Sequence, residues 1–321
     1  MILCPLVIFK LFLFLSILLS LSRRSSLIIW VSLEINMLRF LPIIISREVS
    51  PLENSIKYFL IQRLASIIFI ISVLTLSFNY TCIVELSAVA SLLIKLGAVP
   101  LHGWFISLVK TVNIYTLYLL STAQKIIPLI VLTTLNYWAR LVFFICLLRF
   151  LFIFFRGLTL LRFYKILALS RINNLVWILI SIFRGFQYLL LYFFIYIWLF
   201  LGVYLTFREN NKSIFHHIQI STITNKLYIM FILISLAGLP PIIGFMGKVC
   251  VIKSTIILIS LLFTVFLLFR SLIIMFLYIG FSYLSICYSP YTLPTPKKKK
   301  FSIKDNIYIT SVIMVWPFIA I

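Results

Sequence analysis

Apolar runs of about 20 residues, the length a helix needs to cross roughly 30 Å of hydrocarbon, recur from one end of this sequence to the other. Ile2 to Leu21 and Ile256 to Phe276 are the plainest of them. Hydrocarbon offers no water to backbone N–H and C=O groups, so a spanning segment has to satisfy them within itself, as a helix does. The 321 residues are 64% hydrophobic and 11% charged, whereas a soluble domain is about half apolar and about a quarter charged. The fold class that follows is an all-α polytopic membrane protein, and a water-soluble fold is excluded.

Charged or turn-forming clusters divide the chain into eleven candidate spans, beginning near Ile2, Leu27, Ile56, Cys82, Asn113, Leu141, Phe163, Gly185, Asn225, Ile256 and Ile303. Residues 1–321 read as one transmembrane domain with a basic loop, 284–304, before the last helix. The first run has no basic start, its Arg23-Arg24 pair follows the apolar stretch, and no small-residue cleavage site appears, so it reads as retained and not as a secretory signal. No amphipathic, Arg/Ser-rich presequence is visible either. Five cysteines, Cys4, Cys82, Cys146, Cys250 and Cys287, show no C-x-x-C spacing and read as buried structural thiols; no metal site is expected.

The formal net charge of +22 invites a nucleic-acid reading, but the basic residues are not gathered on a soluble domain, so no nucleic-acid partner is expected. They sort by topology instead. Connections after even-numbered spans carry Arg47, Lys57, Lys110, Arg156, Arg162, Lys165, Arg208, Lys212, Lys226, Lys297 to Lys300 and Lys304, whereas those after odd-numbered spans carry only Arg23, Arg24, Arg140, Arg184 and Lys253. The positive-inside rule then puts the even connections and the N-terminus on the matrix or cytoplasmic side, with the C-terminus opposite. The tract from Pro294 to Lys300 suits contact with anionic phospholipid headgroups.

Two spans are interrupted in corresponding ways. The fourth carries Lys95, Gly97 and Pro100; the ninth carries Gly238, Pro240 and Pro241, then Gly244, Gly247 and Lys248. Proline removes a donor and clashes with the preceding turn, so each helix is expected to break. Freed backbone groups at membrane depth are tolerated only against protein or water, and paired broken helices mark transporters built from repeats. Among the charges inside spans four stand out: Glu34, Lys95, Lys125 one turn before Pro128, and Lys248. Each costs about 2.5–3.5 kcal/mol at the bilayer centre, which makes such groups functional candidates by default. A carboxylate beside a desolvated ammonium can change how tightly the proton is held, which is chemistry for moving protons. The structural alternative is a static Glu34–Lys95 ion pair. His102 is either a relay at the helix break or a donor to a freed carbonyl. No nucleophilic triad, phosphate-binding loop or metal-ligand spacing appears, so no catalytic or cofactor-binding centre is expected in this chain.

These residues lie in stretches that resemble a known family. Leu33-Glu34-Ile35-Asn36-Met37-Leu38 with Phe40-Leu41-Pro42, Lys57 to Gln62, and Leu93-Ile94-Lys95-Leu96-Gly97-Ala98 with Pro100, His102 and Trp104 come first. Gln124-Lys125-Ile126 with Pro128, Lys165-Ile166 before Ser170 and Trp177, and Ser235 to Pro241 with Gly244-Phe245-Met246 and Lys248 follow. In that order the set is similar to the antiporter-like second subunits of mitochondrial NADH:ubiquinone oxidoreductase, respiratory complex I. The resemblance implies an antiporter-like inverted-repeat bundle of about eleven helices, lacking three N-terminal helices of bacterial relatives, in the mitochondrial inner membrane. It implies proton translocation by Glu34, Lys95, Lys125 and Lys248, with FMN, iron–sulfur clusters and ubiquinone held by other subunits and neighbouring antiporter-like subunits as partners. A cation/proton antiporter subunit and a purely structural membrane subunit are the alternatives.

The sequence departs from the family where Asn174 replaces a usual histidine, Gly103-Trp104 a Phe-Trp, Ala123 a tryptophan, and Gly247-Lys248-Val249 a Pro-Lys-Trp. Losing that histidine weakens any relay near Asn174. Arg39, Arg63 and Arg171 stand where relatives usually carry small or neutral residues, and methionine, at 6, is scarce beside abundant isoleucine. That is the pattern produced when some mitochondrial serine codons are read as arginine and some methionine codons as isoleucine.

Overall fold

The computed structural model describes residues 3–22, 25–45, 51–78, 82–99, 102–135, 163–183, 185–207, 223–239, 242–258 and 261–287, and among them every regular element is a helix. Two compact units divide the chain, Met1–Arg149 and Phe150–Ile321.

The first unit contains α1 (Leu3–Leu21), α2 (Ser26–Ile45), α3 (Pro51–Phe78), α4 (Cys82–Lys95), α5 (Gly103–Thr111), α6 (Ile114–Ser121) and α7 (Ala123–Leu132). Helix α3 packs along α4 and α5 and against α2, while α7 meets α1, α2 and α4. The second unit contains α8 (Phe163–Ile182), α9 (Phe186–Phe207), α10 (Ile223–Ala237), α11 (Ile243–Leu258) and α12 (Leu261–Cys287). There α10 packs on α12 and α9, and α11 touches α8, α9, α10 and α12.

Among the described residues four segments are long and apolar enough to cross a membrane: Ser26–Ile45, Glu53–Leu76, Ile114–Leu132 and Phe186–Phe207, of 20, 24, 19 and 22 residues. At 1.5 Å per residue, 20 residues give about 30 Å. The expected starts at Leu27, Phe163 and Gly185 fall within a residue of α2, α8 and α9. The expected boundary at Ile256 moves, because α11 runs on to Leu258 and α12 begins at Leu261: Lys253 stays exposed within the helix and does not interrupt it. The candidate spans near Leu141 and Ile303 lie outside the described residues, as does the chain from 288 onward.

The packing is inverted relative to a protein in water. On α3 the exposed residues Ile56, Leu60, Leu64, Ile67, Ile71 and Leu74 recur every three or four positions, so an apolar stripe faces outward. On α12 Val265, Phe269, Leu272, Phe276, Ile279 and Tyr283 do the same. Polar groups go inward. Buried Ser16, Ser72, Ser91, Ser181 and Ser235 each donate a hydroxyl hydrogen bond to the carbonyl three residues earlier, which satisfies them without water. Cys82, expected as a buried thiol, is exposed instead, in the first turn of α4.

Candidate functional site

Buried lysines sit beside a glycine-terminated helix end in both units. In the first, α4 stops at Lys95 because Gly97 enters the left-handed region (φ 70°), which a residue with a Cβ rarely adopts. The amide of Ala98 then donates to the Leu93 carbonyl (2.9 Å) and that of Gly97 to Ile94 (3.0 Å), the paired bonds of a Schellman end. Lys95 is held inside, with 8% of its surface exposed. Gln62 of α3 donates to its backbone carbonyl (3.2 Å), fixing α3 to this end of α4.

Lys95 lines a cavity with Lys125, Asn36, Tyr58, Gln62, Trp104, Gln124 and Pro128. Its interior leaves about 20 Å3 for the centres of water molecules, above the roughly 10–15 Å3 that one ordered water needs. The wall is a hydrogen-bonded chain across three helices. The Tyr58 hydroxyl donates to Gln124 Oε1 (3.3 Å), and Gln124 Nε2 donates to Asn36 Oδ1 (3.1 Å). Lys125 is 4% exposed on α7, and Pro128 removes the donor that would serve the Gln124 carbonyl, so backbone polarity is added next to the lysine.

Glu34 is buried on α2, where its Oε2 accepts from Arg63 Nη1 at 2.5 Å. The expected alternative of a static Glu34–Lys95 pair is therefore corrected: among the described residues the ion pair of Glu34 is with Arg63, and Lys95 lies within electrostatic reach of both. Arg63 reaches inward from a position on α3 that leaves 47% of its side chain exposed. His102 is buried, and its backbone carbonyl starts α5 by accepting from Phe105 (3.0 Å) and Ile106 (3.3 Å); it is not among the residues lining the cavity.

In the second unit α10 ends at Ala237, and Gly238 takes φ 76°, its amide donating to Ile234 and Ser235 (both 3.0 Å). Lys248 of α11, 2% exposed, folds back over this end and donates from Nζ to the Ala237 carbonyl. Its ammonium stands 5.5 Å from the ring centroid of Trp177 on α8. A Cβ at Gly244 would lie 1.8 Å from the Ser235 carbonyl oxygen, so only glycine lets α11 approach α10 this closely. Asn174, which replaces the usual histidine, accepts from the Tyr192 hydroxyl at 3.4 Å. Pro100, Pro240 and Pro241 lie outside the described residues. Among the described residues no group of histidine, cysteine and acidic side chains could hold a metal ion.

Residues 75–275 match the family model described as NADH:quinone oxidoreductase/Mrp antiporter, transmembrane. The chain belongs to this family. Two relatives named NADH-ubiquinone oxidoreductase chain 2 cover most of it. That of Artemia franciscana is 37% identical over 237 residues, 74% of this chain and 76% of the relative. That of Anopheles gambiae is 31% identical over 330 residues, 98% and 94% respectively. Among solved structures, a chain of respiratory complex I from Thermus thermophilus with bound Aureothin superposes with TM-score 0.76 at 19% identity, covering 98% of this chain and 77% of that one. A chain of the Mrp complex from Dietzia sp. DQ12-45-1b gives 0.71 at 15%, covering 85% and 59%. The shared fold is the all-helical, antiporter-like membrane fold of the family.

Against that family fold, the structure brings Lys95 and Lys125 to one cavity, places Glu34 beside Lys95, and sets Lys248 in the second unit. Sequence reasoning gave no role to Asn36, Tyr58, Gln62 and Gln124. The available signal was polarity inside apolar runs: Tyr58 and Gln62 are one helical turn apart, and Gln124 precedes Lys125. The three unusual arginines each meet a partner. Arg39 Cζ lies 4.0 Å over the Phe12 ring, Arg63 pairs with Glu34, and Arg171 Cζ lies 5.3 Å from the Phe200 ring centroid.

Proposed function

We propose that this chain is the antiporter-like second membrane subunit of a mitochondrial NADH:ubiquinone oxidoreductase and that it carries protons across the inner membrane through its own buried lysines. Electron transfer from NADH to ubiquinone drives it, on FMN, iron–sulfur clusters and a quinone site held by other subunits. Neighbouring antiporter-like subunits and phospholipids surround it. Residues 1–321 act as one transmembrane domain, an inverted-repeat bundle lacking three N-terminal helices, with spans broken at Lys95–Pro100 and Gly238–Lys248, the N-terminus in the matrix and the C-terminus in the intermembrane space.

The observation that carries this reading is that Lys95 and Lys125, both buried, line one cavity with room for water. An ammonium at the end of α4 gains from the helix dipole and from Glu34, and can pass its proton to water in that cavity. Movement of Arg63 toward or away from Glu34 changes the field at Lys95 and with it the hold on the proton. Lys248 reaches from α11 to the glycine-ended α10. His102, Pro100, Gly238, Pro240 and Pro241 shape or relay at the helix breaks, and Pro128 frees the Gln124 carbonyl within α7.

The test is Lys95→Gln in the assembled complex, reconstituted into vesicles. Fewer protons pumped per NADH oxidised is expected, and an unchanged ratio would transfer support to a static, structural role. A cation/proton antiporter is the second reading, favoured by the likeness to a chain of an Mrp complex; it requires transport that continues without NADH and ubiquinone.

A further inference from the structure

Trp177 is fully enclosed on α8, and its indole N–H has no hydrogen-bond partner among the described residues. A buried tryptophan usually spends that donor on an acceptor, so the polar contact that explains an indole here is through its face. The Lys248 ammonium stands 5.5 Å from the ring centroid, within the roughly 6 Å over which a cation is drawn to an aromatic face. The same ammonium donates to the Ala237 carbonyl at the end of α10. No carboxylate belongs to the described residues of this unit, and the charged side chain within electrostatic reach of Lys248 is another cation, Arg270 of α12. The charge of Lys248 is thus offset by a carbonyl and a π-face. The space is also exact to the side chain, since a Cβ on Gly238 would fall 2.6 Å from Lys248 Cε and Nζ.

We propose that Trp177 is a positioning residue for proton transfer at Lys248: its indole face holds the ammonium against the Ala237 carbonyl at the end of α10. This rests on the reading of Lys248 as a proton carrier. A carboxylate partner would form a strong, fixed pair with the ammonium and would itself take up a proton. A π-face attracts the cation, takes up no proton, and weakens its hold when Lys248 turns neutral, so loading and unloading of Lys248 become coupled to its departure from Trp177 and from the end of α10.

The experiment compares Trp177→Phe, Trp177→Leu, Lys248→Gln and the double variants Trp177→Phe/Lys248→Gln and Trp177→Leu/Lys248→Gln, each in the assembled complex in vesicles. Protons pumped per NADH oxidised is the readout. The expected order is Trp above Phe above Leu, because a phenyl face attracts cations less than an indole and an isobutyl group lacks one. In the Lys248→Gln background the Leu substitution is expected to cause no further loss, because the partner it acts through is gone. Equal ratios for Phe and Leu, or an undiminished Leu effect without Lys248, would mean that Trp177 only fills space. If the leucine variant does not assemble, Trp177→Phe decides alone: a lowered ratio that vanishes in the Lys248→Gln background supports positioning, and a normal ratio overturns it. A normal ratio in Lys248→Gln itself removes the proton-carrier reading, and the positioning role with it.

Discussion

At the scale of single residues, the two lysine sites depend on glycines as much as on the charges themselves. Gly238 meets two independent constraints, a φ of 76° and the Lys248 side chain lying where a Cβ would project. Gly238→Ala is therefore expected to cost about 1–3 kcal/mol in backbone strain, with displacement of Lys248 in addition. The amount of assembled complex and its thermal inactivation temperature should both fall. Gly280→Ala, on a helix with open space around the missing Cβ, should leave both nearly unchanged. The charges were legible in the sequence because Glu34, Lys95, Lys125 and Lys248 interrupt apolar runs and each interruption is costly in lipid. Their partners were not. Arg63 belongs to a different helix from Glu34, and the Tyr58–Gln124–Asn36 chain joins residues up to 88 positions apart, which no local pattern encodes.

At the scale of elements, the outward stripes of α3 and α12 decide which faces meet lipid. Leu64 is 59% exposed in the middle of the α3 stripe. Leu64→Asp is expected to disfavour membrane insertion by about 2.5–3.5 kcal/mol, read as a loss of inserted product in a translocation assay, whereas Leu64→Met should insert normally. An aspartate would be far less harmful to an outward face in water, so the same experiment separates lipid contact from solvent contact. Helix length and apolar content were readable as soon as the runs were counted. The break in the fourth span was expected from Pro100, whereas the end of α4 is closed before it by Gly97 in a Schellman arrangement. The continuation of α11 to Leu258 was not readable, because Lys253 looks like a boundary in a hydropathy trace while a long side chain can carry its charge outward from an unbroken helix.

At the scale of the whole molecule, the chain is expected to migrate on a native gel of solubilised inner membranes within the band that oxidises NADH, and migration apart from all such activity would favour the antiporter. Peptides from that band also read positions 39, 63 and 171 directly. If the codon reading is right they carry the mass of serine, and the Glu34–Arg63 pair gives way to a weaker contact; arginine at position 39 removes that reading. The sequence by itself determined that this is a multi-pass helical membrane protein with charges set inside its spans, because hydropathy over some twenty residues and the cost of charge in lipid are local quantities that summation along the chain captures; its proton-translocating class came from the family resemblance of the stretches around those charges. Only the tertiary structure decided which charges share a cavity, that Glu34 turns to Arg63, and that Lys248 lies between the end of α10 and Trp177. Those outcomes depend on how helices distant in sequence cross and how closely they approach, and a glycine or a polar side chain acquires its meaning there only from the neighbour it meets.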